Sequence, residues 1–548
     1  METNEHRQAG NQIRIETLDN LYLQGSKSIL PKPDDEPLRV TMMRQLDGIP
    51  VPLDKLQLTA GDIVALAGDY YTKAGWGLEL NIGKTAGQAA VKNNKRLFKN
   101  PVVAKEILAF TEAYGDLASP DVNLENIEHI YKVEETTYIP FFKSINAIFQ
   151  QLVYSWTVKG YKEKLNKNEA HFTPWSARAY IVGHHTALKM AEIAFACKNL
   201  SSGKLVLEDL QKSISTELTR VLKQIQDNPT RYKFENLTSP AAIYEELAAR
   251  YHALAIAQDL FTMHFYSDHF AGGHMSRIGI LRKTMPERFS VFGSILINNM
   301  HNEDNLRSVT VHNPHQPCTD SDKILKMYPV IDEAYGDGTY FLNGNNNNSD
   351  MLVNGMTNSL GDIARVMESG IIPPEAHYGG LCFLPEVDYQ KPQTQPLLIN
   401  GKDGNIYFRS NISQIKTLMP TEYRDALEQP QNHGYEKLTL WKAFVLVFKL
   451  RVLGFIYSPS IIKNLATEVA QEKPATIING TDEMKGLNVE PTNLLSATSQ
   501  IEQEKEFQAS WRMTPPTSLA NAHSVHGFIN KPPSPISQDS TLSSPSLY

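Results

Sequence analysis

AAIYEELAARYHALAIAQDLFTMHFYSDHF, residues 241–270, carries the clearest helical pattern in this chain. Thr238, Ser239 and Pro240 precede it and provide an N-cap followed by a proline in the first turn. Apolar residues then recur at three- and four-residue steps, which is the spacing of one helix face. The pattern predicts a long helix that directs these positions towards the interior: Leu247, Tyr251, Leu254, Ala257 and Phe261.

His264 and Asp268 continue the same stripe at its carboxyl-terminal end. Four residues correspond to about 400° of helical rotation, so the two side chains lie on one face, one turn apart. Burying such a polar pair costs free energy unless it finds a partner. Taken alone, the pair is more often a hydrogen-bonded pair at the surface than a metal site.

Histidines and acids elsewhere in the chain could complete a metal site around this pair. A Gly-Gly pair precedes one of the histidines and permits backbone bending and close approach. Imidazole and carboxylate groups without thiolate suit a hydrolytic zinc site with open positions for water and substrate. The candidates are His171 in NEAHF, His184 in GHHTAL, His274 after the glycines, and His301, Glu303 and Asp304 in HNED.

Composition limits the classes of protein to which the chain can belong. With 548 residues, of which 41% are hydrophobic and 21% charged, it is typical of a large globular protein. Its net charge of −7 argues against a general nucleic-acid binder, which would carry a basic surface. The three cysteines are widely spaced and odd in number, so they predict neither a disulfide framework nor a zinc-thiolate site.

The spacing His264-x3-Asp268-x5-His274 resembles the central motif of the zinc-dependent phospholipase C and P1 nuclease superfamily, whose members are mostly helical enzymes that cut phosphate esters. Within it, the chain looks like the broad-specificity metallophospholipases C of Gram-negative bacteria, which include host-directed virulence effectors. The motifs that carry this resemblance are LAGDYY (66–71), NEAHF (168–172), GHHTAL (183–188), HFYSDHFAGGHMSR (264–277), HNEDN (301–305) and YGDG (335–338).

The resemblance implies a set of zinc ligands. One zinc ion would be held by Asp69, His171, His264 and Asp268, with Asp268 able to bridge to a neighbouring ion. A second would be held by His274 and His301, completed by a carboxylate. The superfamily spacing places that acid at Asn305, where this chain has none; we favour Asp304 over Glu303 because it lies on a helical face similar to that of His301.

Two further positions remain open between a functional and a structural role. His184 is either a ligand or a hydrogen-bond partner of a ligand, and Asp337 in YGDG is either a site residue or part of a turn. The superfamily's additional zinc ion uses a processed amino terminus, whereas this chain begins METNEH without a signal peptide. We therefore expect two zinc ions, and a third only if a residue such as His184 supplies a ligand.

The resemblance also implies the reaction. A glycerophospholipid such as phosphatidylcholine would be hydrolysed by metal-activated water to diacylglycerol and a phosphorylated head group, with Asp69 as the candidate to orient or deprotonate the water. The expected partner is a phospholipid membrane surface and not nucleic acid. The alternatives are a nuclease or other phosphodiesterase of the same superfamily, and a catalytically inactive lipid-binding effector with a structural zinc ion.

The pattern along the chain predicts a mainly α catalytic domain with long loops at 38–375. A polar, loosely ordered extension precedes it at 1–37. A smaller mixed α+β segment follows at 376–472 and is a candidate for contact with the membrane. Within that segment LTLWKAFVLVFKLRVLGFIY (438–457) is either a buried helix or an interfacial helix on lipid, because three basic residues interrupt it.

Residues 473–548 form a low-order tail rich in serine and proline at its end. The tail resembles the C-terminal signals of effectors that pass through type IV secretion machines, so an export machinery is a candidate partner. No Sec-type signal peptide is visible in the first thirty residues. The expected location is the cytoplasm before export, followed by secretion or translocation into a host cell.

Overall fold

The computed structural model of the chain describes residues 3–13, 15, 20–25, 36–69, 101–135, 169–173, 175–313, 333–336, 340–341, 346–451, 453 and 460–462. These residues are mainly helical and carry some small sheets, as the sequence predicts at this coarse level. The α-helices are α1 (Thr3–Asn11), α2 (Ala60–Asp69), α3 (Ala104–Leu117), α4 (Leu124–Glu135), α5 (Trp175–Ser201), α6 (Lys212–Asp227), α7 (Pro240–Asp268), α8 (Ser276–Arg307), α9 (Asn346–Ser369), α10 (Pro420–Glu428) and α11 (Leu440–Arg451).

The strands form three-stranded sheets in the orders β1-β2-β3, β5-β4-β6, β8-β9-β11 and β7-β10-β12. All of the pairings are antiparallel except β10 with β12. The strands are β1 (Leu23–Gln24), β2 (Arg39–Leu46), β3 (Ile49–Thr59), β4 (Val309–His312), β5 (Glu333–Ala334), β6 (Glu386–Val387), β7 (Gln393–Thr394), β8 (Leu398–Asn400), β9 (Ile406–Arg409), β10 (Gln414–Leu418), β11 (Tyr435–Lys437) and β12 (Ser460–Ile462).

Helix α7 is the central element of the protein and begins where the sequence predicts. Its N-cap is Ser239, whose side chain accepts a hydrogen bond from the backbone N–H of Ala242, and Pro240 occupies the first turn. Every residue from Tyr251 to Asp268 is buried, because α5, α2, α9 and the strands β2 and β3 surround the helix. The prediction of one inward stripe was therefore too narrow for Tyr251–Asp268, where the helix is covered on all sides.

Helix α1 packs closely against α2 through a pair of glycines. A Cβ added at Gly61 would lie 2.3 Å from the carbonyl oxygen of Arg7, and one added at Gly10 would lie 2.7 Å from the Cα of Gly61. The absence of side chains at these two positions lets the helix backbones touch. The expectation of a loosely ordered amino-terminal segment is therefore wrong for Thr3–Asn11, which places His6 in the protein interior.

Helix α8 leads from the central helix to the C-terminal segment. Its backbone is interrupted at Ser290, where φ is 54°, shortly after Pro286. Its second half packs against α11. The strand expected in NIYFRS is present as β9, paired with β8 and β11. Among the described helices, none is both long and apolar enough to cross a membrane.

Candidate metal centre

Four histidines surround the carboxylate of Asp268, which is fully buried. On one side of the carboxylate, His171 Nδ1 lies 2.7 Å and His264 Nε2 lies 3.6 Å from Oδ2 of Asp268. On the other side, His6 Nε2 and His274 Nδ1 each lie 3.3 Å from Oδ1. The carboxylate therefore stands between two pairs of imidazoles, one pair facing each oxygen.

The five side chains come from four separate segments of the chain. Helix α7 supplies His264 and Asp268 one turn apart, in the arrangement that their spacing predicts. Two short 3-10 helices, Glu169–His171 and Gly272–His274, supply His171 and His274 as their last residues. Helix α1 supplies His6, whose ring stacks on that of His264 with centroids 4.0 Å apart. The cluster is thus assembled by tertiary packing around one helix end.

Hydrogen bonds to the far side of two imidazoles determine which nitrogen carries the proton. The Nδ1–H of His264 donates to the carbonyl oxygen of Val64 over 2.8 Å. The Nδ1 of His6 lies 2.7 Å from Ser267 Oγ, and in the neutral form that donates from Nδ1 to this hydroxyl the lone pair of His6 is on Nε2. Both Nε2 atoms therefore present lone pairs towards Asp268, as metal-ligating histidines do.

His6, His264 and Asp268 form a buried group that could bind a metal ion. Ligand atoms of His6, His264 and Asp268 lie within 4.8 Å of one another. Within the described part of the protein the buried Nε2 of His6 has no hydrogen-bond partner, which is the condition of a nitrogen held ready for a metal. Ligands about 2.0–2.1 Å from a tetrahedral zinc ion stand roughly 3.3 Å apart. The separations of 3.3 Å between His6 Nε2 and Asp268 Oδ1 and of 3.2 Å between His171 Nδ1 and His264 Nε2 are close to that spacing, whereas the 2.7 Å between His171 Nδ1 and Asp268 Oδ2 is the length of a hydrogen bond.

The electrostatics of the cluster favour the ligating forms of His264 and Asp268. Burial, with the neighbouring His6, holds the pKa of His264 well below its usual range, so the ring is neutral. Burial raises the pKa of the Asp268 carboxyl, but the interactions with His274 and His6 outweigh it and hold that pKa well below the usual range. Neutral imidazole and ionised carboxylate are the forms that bind metal ions.

His274 and His301 stand side by side at the edge of this cluster. Their ring centroids are 4.8 Å apart, and Phe172 stacks on His274 at the same distance. The Nδ1–H of His274 donates to the carbonyl oxygen of His171 over 2.7 Å, which leaves its Nε2 as the lone pair. The structure therefore brings together the two histidines that the resemblance assigns to a second ion.

Asn305 stands where the superfamily spacing calls for an acid, and it anchors the turn that carries His274. Its Oδ1 accepts a hydrogen bond of 2.6 Å from the backbone N–H of Gly273, and its Nδ2 lies 3.3 Å from Nε2 of His301. A Cβ added at Gly273 would lie 2.5 Å from the same Oδ1. The close approach that the glycine pair permits is therefore made by a protein side chain.

The two acids expected beside His301 are both engaged by arginines. Asp304 is buried and accepts from the guanidinium of Arg277, with Nε at 2.9 Å from Oδ2. Glu303 pairs with Arg409 through two hydrogen bonds of 2.7 and 2.8 Å. Because guanidinium groups already neutralise these carboxylates, we leave both out of the proposed ligand set.

Replacing Asp304 with asparagine tests this assignment. The change leaves the buried guanidinium of Arg277 without its counter-charge, which we expect to lower the free energy of unfolding by about 3–5 kcal/mol. The zinc content of the folded protein should stay the same. Denaturant unfolding and metal analysis by mass spectrometry measure the two quantities, with the exposed Asp121→Asn as control. Loss of zinc at unchanged stability would restore Asp304 as a ligand.

His184 belongs to a different buried network. Its Nδ1 lies 2.8 Å from Asp259 and its Nε2 lies 3.1 Å from Asp362, and Ser359 hydrogen-bonds to the first of these nitrogens. Although burial lowers the pKa of His184, the two carboxylates raise it to about 9. The ring is therefore protonated at neutral pH and donates from both nitrogens, so it offers no lone pair to a metal in this arrangement.

Two predicted site residues cannot be placed in the same way. Asp69 is the last residue of α2. Its side chain lies outside the described part of the structure. Asp337 also lies outside the described residues. The preceding Gly68 is described: a Cβ added there would lie 2.0 Å from His264 Nε2 and 2.5 Å from His171 Cε1. The LAGD motif thus ends a helix that lies directly against the cluster.

His6 is the residue of this centre that the sequence analysis missed. It lies in a polar segment more than 250 positions before Asp268, without a motif around it. No protein family, curated protein or solved structure matches this chain. The chemistry of the centre must therefore be argued from its own geometry.

Proposed function

We propose that this chain is a zinc-dependent phospholipase C, which hydrolyses glycerophospholipids to diacylglycerol and a phosphorylated head group. The observation that supports it most is the convergence of four imidazoles on the buried carboxylate of Asp268. The mainly helical fold agrees with a relationship to the phospholipase C and P1 nuclease superfamily. Under the proposal the motifs of that superfamily meet in space because they build one centre.

His6, His171, His264 and Asp268 would hold one zinc ion. A second would be held by His274, through its Nε2, and by His301. Bound zinc supplies positive charge to the phosphoryl oxygens and lowers the pKa of water. The chain's own contribution is orientation: the carbonyl of Val64 and the hydroxyl of Ser267 aim two imidazoles at the carboxylate.

The choice of lipid over nucleic acid as substrate has two supports. The net charge of −7 disfavours a phosphate-backbone binder, whose affinity depends on Lys and Arg. In addition, the C-terminal segment exposes large apolar side chains on α11, such as Trp441 and Phe444. A lipid-cleaving enzyme needs an apolar surface of this kind, whereas a nuclease needs a basic groove with stacking aromatics.

The experiment compares two substrates with and without a chelator. We expect phosphatidylcholine liposomes to yield diacylglycerol and phosphocholine, single-stranded DNA to yield nothing, and the lipid reaction to stop with chelator and return with added zinc. Metal analysis of the purified protein should find zinc. Nucleotides released from DNA would assign the chain to the nucleases. Zinc-loaded protein that binds liposomes without forming products would be an inactive lipid-binding protein.

A further inference from the structure

Helix α11 presents an aromatic face to solvent. Trp441, Phe444 and Phe448 are 71%, 43% and 47% exposed, and their three- and four-residue spacing places them on one side of the helix. The rings of Trp441 and Phe444 lie 5.5 Å apart, so they form one surface. Large aromatic side chains grouped in this way leave much apolar area in water, which marks an interaction site.

The rest of α11 is anchored, so the aromatic face is presented by a rigid element. Ala443 and Leu446, on the opposite side, are buried in a core shared with α8. The ring of Phe292 in α8 contacts that of Phe444 edge-on at 5.6 Å. The core is therefore formed by one side of α11, and the other side is left for a partner.

The charges of α11 indicate the chemistry of that partner. The helix, LWKAFVLVFKLR, contains three basic residues and no acidic one, although the whole chain has 60 acidic and 53 basic residues. Lys449 is exposed, whereas Lys442 pairs with Glu436 over 2.8 Å. A lysine at an exposed position beside an apolar face reaches the level of lipid phosphates while its stem stays apolar. Aromatic rings, Trp above all, favour the boundary between acyl chains and head groups.

We propose that this aromatic face of α11 docks on the surface of an anionic phospholipid bilayer. Its position on α8 connects it to the metal centre. Arg451, at the end of α11, hydrogen-bonds Asn298 one turn before His301. Phe292 precedes His301 by nine residues, or about 13 Å along the helix. Docking would therefore hold the centre close to the bilayer.

The consequence for turnover rests on the proposed function, but binding can be measured without turnover. The probe is a vesicle of a phosphonate analogue of phosphatidylcholine, which the enzyme cannot cleave, mixed with phosphatidylserine. Co-sedimentation of the full chain is compared for the wild type, Trp441→Ala, Phe448→Ala and Lys449→Glu. Ile371→Ala, which removes an equally exposed apolar side chain outside α11, is the control.

We expect each aromatic substitution to reduce vesicle binding about tenfold. Lys449→Glu should reduce it only on vesicles that contain phosphatidylserine, and Ile371→Ala should have no effect. Hydrolysis of monomeric short-chain phosphatidylcholine should be unchanged in Trp441→Ala. Unchanged vesicle binding in both aromatic variants would overturn the proposal, and so would a wild-type dimer that these variants dissociate. If short-chain lipid is not cleaved while binding behaves as expected, the proposed function fails and the docking surface stands.

Discussion

Replacing Asp268 with asparagine is expected to lower phospholipid hydrolysis about a thousandfold or more and to reduce the zinc content of the protein. The carboxylate stands between two pairs of imidazoles, so its loss removes the negative charge at the middle of the proposed metal centre. Positive charge held at the reacting phosphate contributes several kcal/mol to the transition state, and each 1.36 kcal/mol is about a factor of ten in rate. Because asparagine has nearly the same shape as aspartate, the substitution tests the effect of removing the negative charge.

The measurement is diacylglycerol release from phosphatidylcholine liposomes, together with zinc per chain and the thermal unfolding transition. His6→Gln is the companion variant, because it tests the ligand that comes from α1 without altering α7. We expect it to lose zinc and activity as well. A folded Asp268→Asn protein with full activity would refute the metal centre. Full activity in His6→Gln alone would remove only His6 from the ligand set.

Replacing Gly68 with alanine is expected to lower activity about a hundredfold and to weaken zinc binding. A Cβ at this position would lie 2.0 Å from His264 Nε2, so either α2 or the imidazole must move. Displacing a catalytic group by about 1 Å costs on the order of a hundredfold in rate. The substitution changes no ligand and no charge, and it therefore tests whether the geometry of the cluster matters.

Gly115→Ala is the matched control for this prediction. Gly115 lies in α3, and an added Cβ there would meet no atom within 4 Å. Alanine in a helix is favoured over glycine by about 1 kcal/mol, so the free energy of unfolding should rise slightly while activity stays constant. Measuring both variants by liposome hydrolysis and denaturant unfolding separates a local clash from a general effect. Wild-type activity in Gly68→Ala would show that the cluster is not the active centre.

The parts of the centre that could be predicted from sequence are those set by local periodicity. Ser239 and Pro240 define where α7 begins, and the four-residue step places His264 and Asp268 on one face whatever surrounds them. The glycines before His274 predict that another group approaches the backbone closely, but they do not predict that this group is the side chain of Asn305. These properties depend on backbone geometry within a few residues, so the structure agrees with what the sequence pattern predicts for them.

The two acids that follow His301, Glu303 and Asp304, show what local spacing cannot predict. Helical spacing made Asp304 the better choice, but spacing does not say which partner an acid will meet. Arg277 and Arg409, which are 27 and 106 residues away from the acids they bind, neutralise Asp304 and Glu303. A buried guanidinium requires a counter-charge, and this requirement takes both acids out of the proposed ligand set.

The amino-acid sequence by itself determined the long central helix, the pairing of His264 with Asp268 on one of its faces, and the choice of imidazole and carboxylate as donors. Only the tertiary structure decided that His6 completes the cluster, that His184 is protonated in a network of its own, and that α11 presents its aromatic face to solvent. The physical reason is one of range. Helical periodicity acts within a turn or two, whereas the partner of a buried charge or an exposed ring is set by the packing of segments that are distant in the chain.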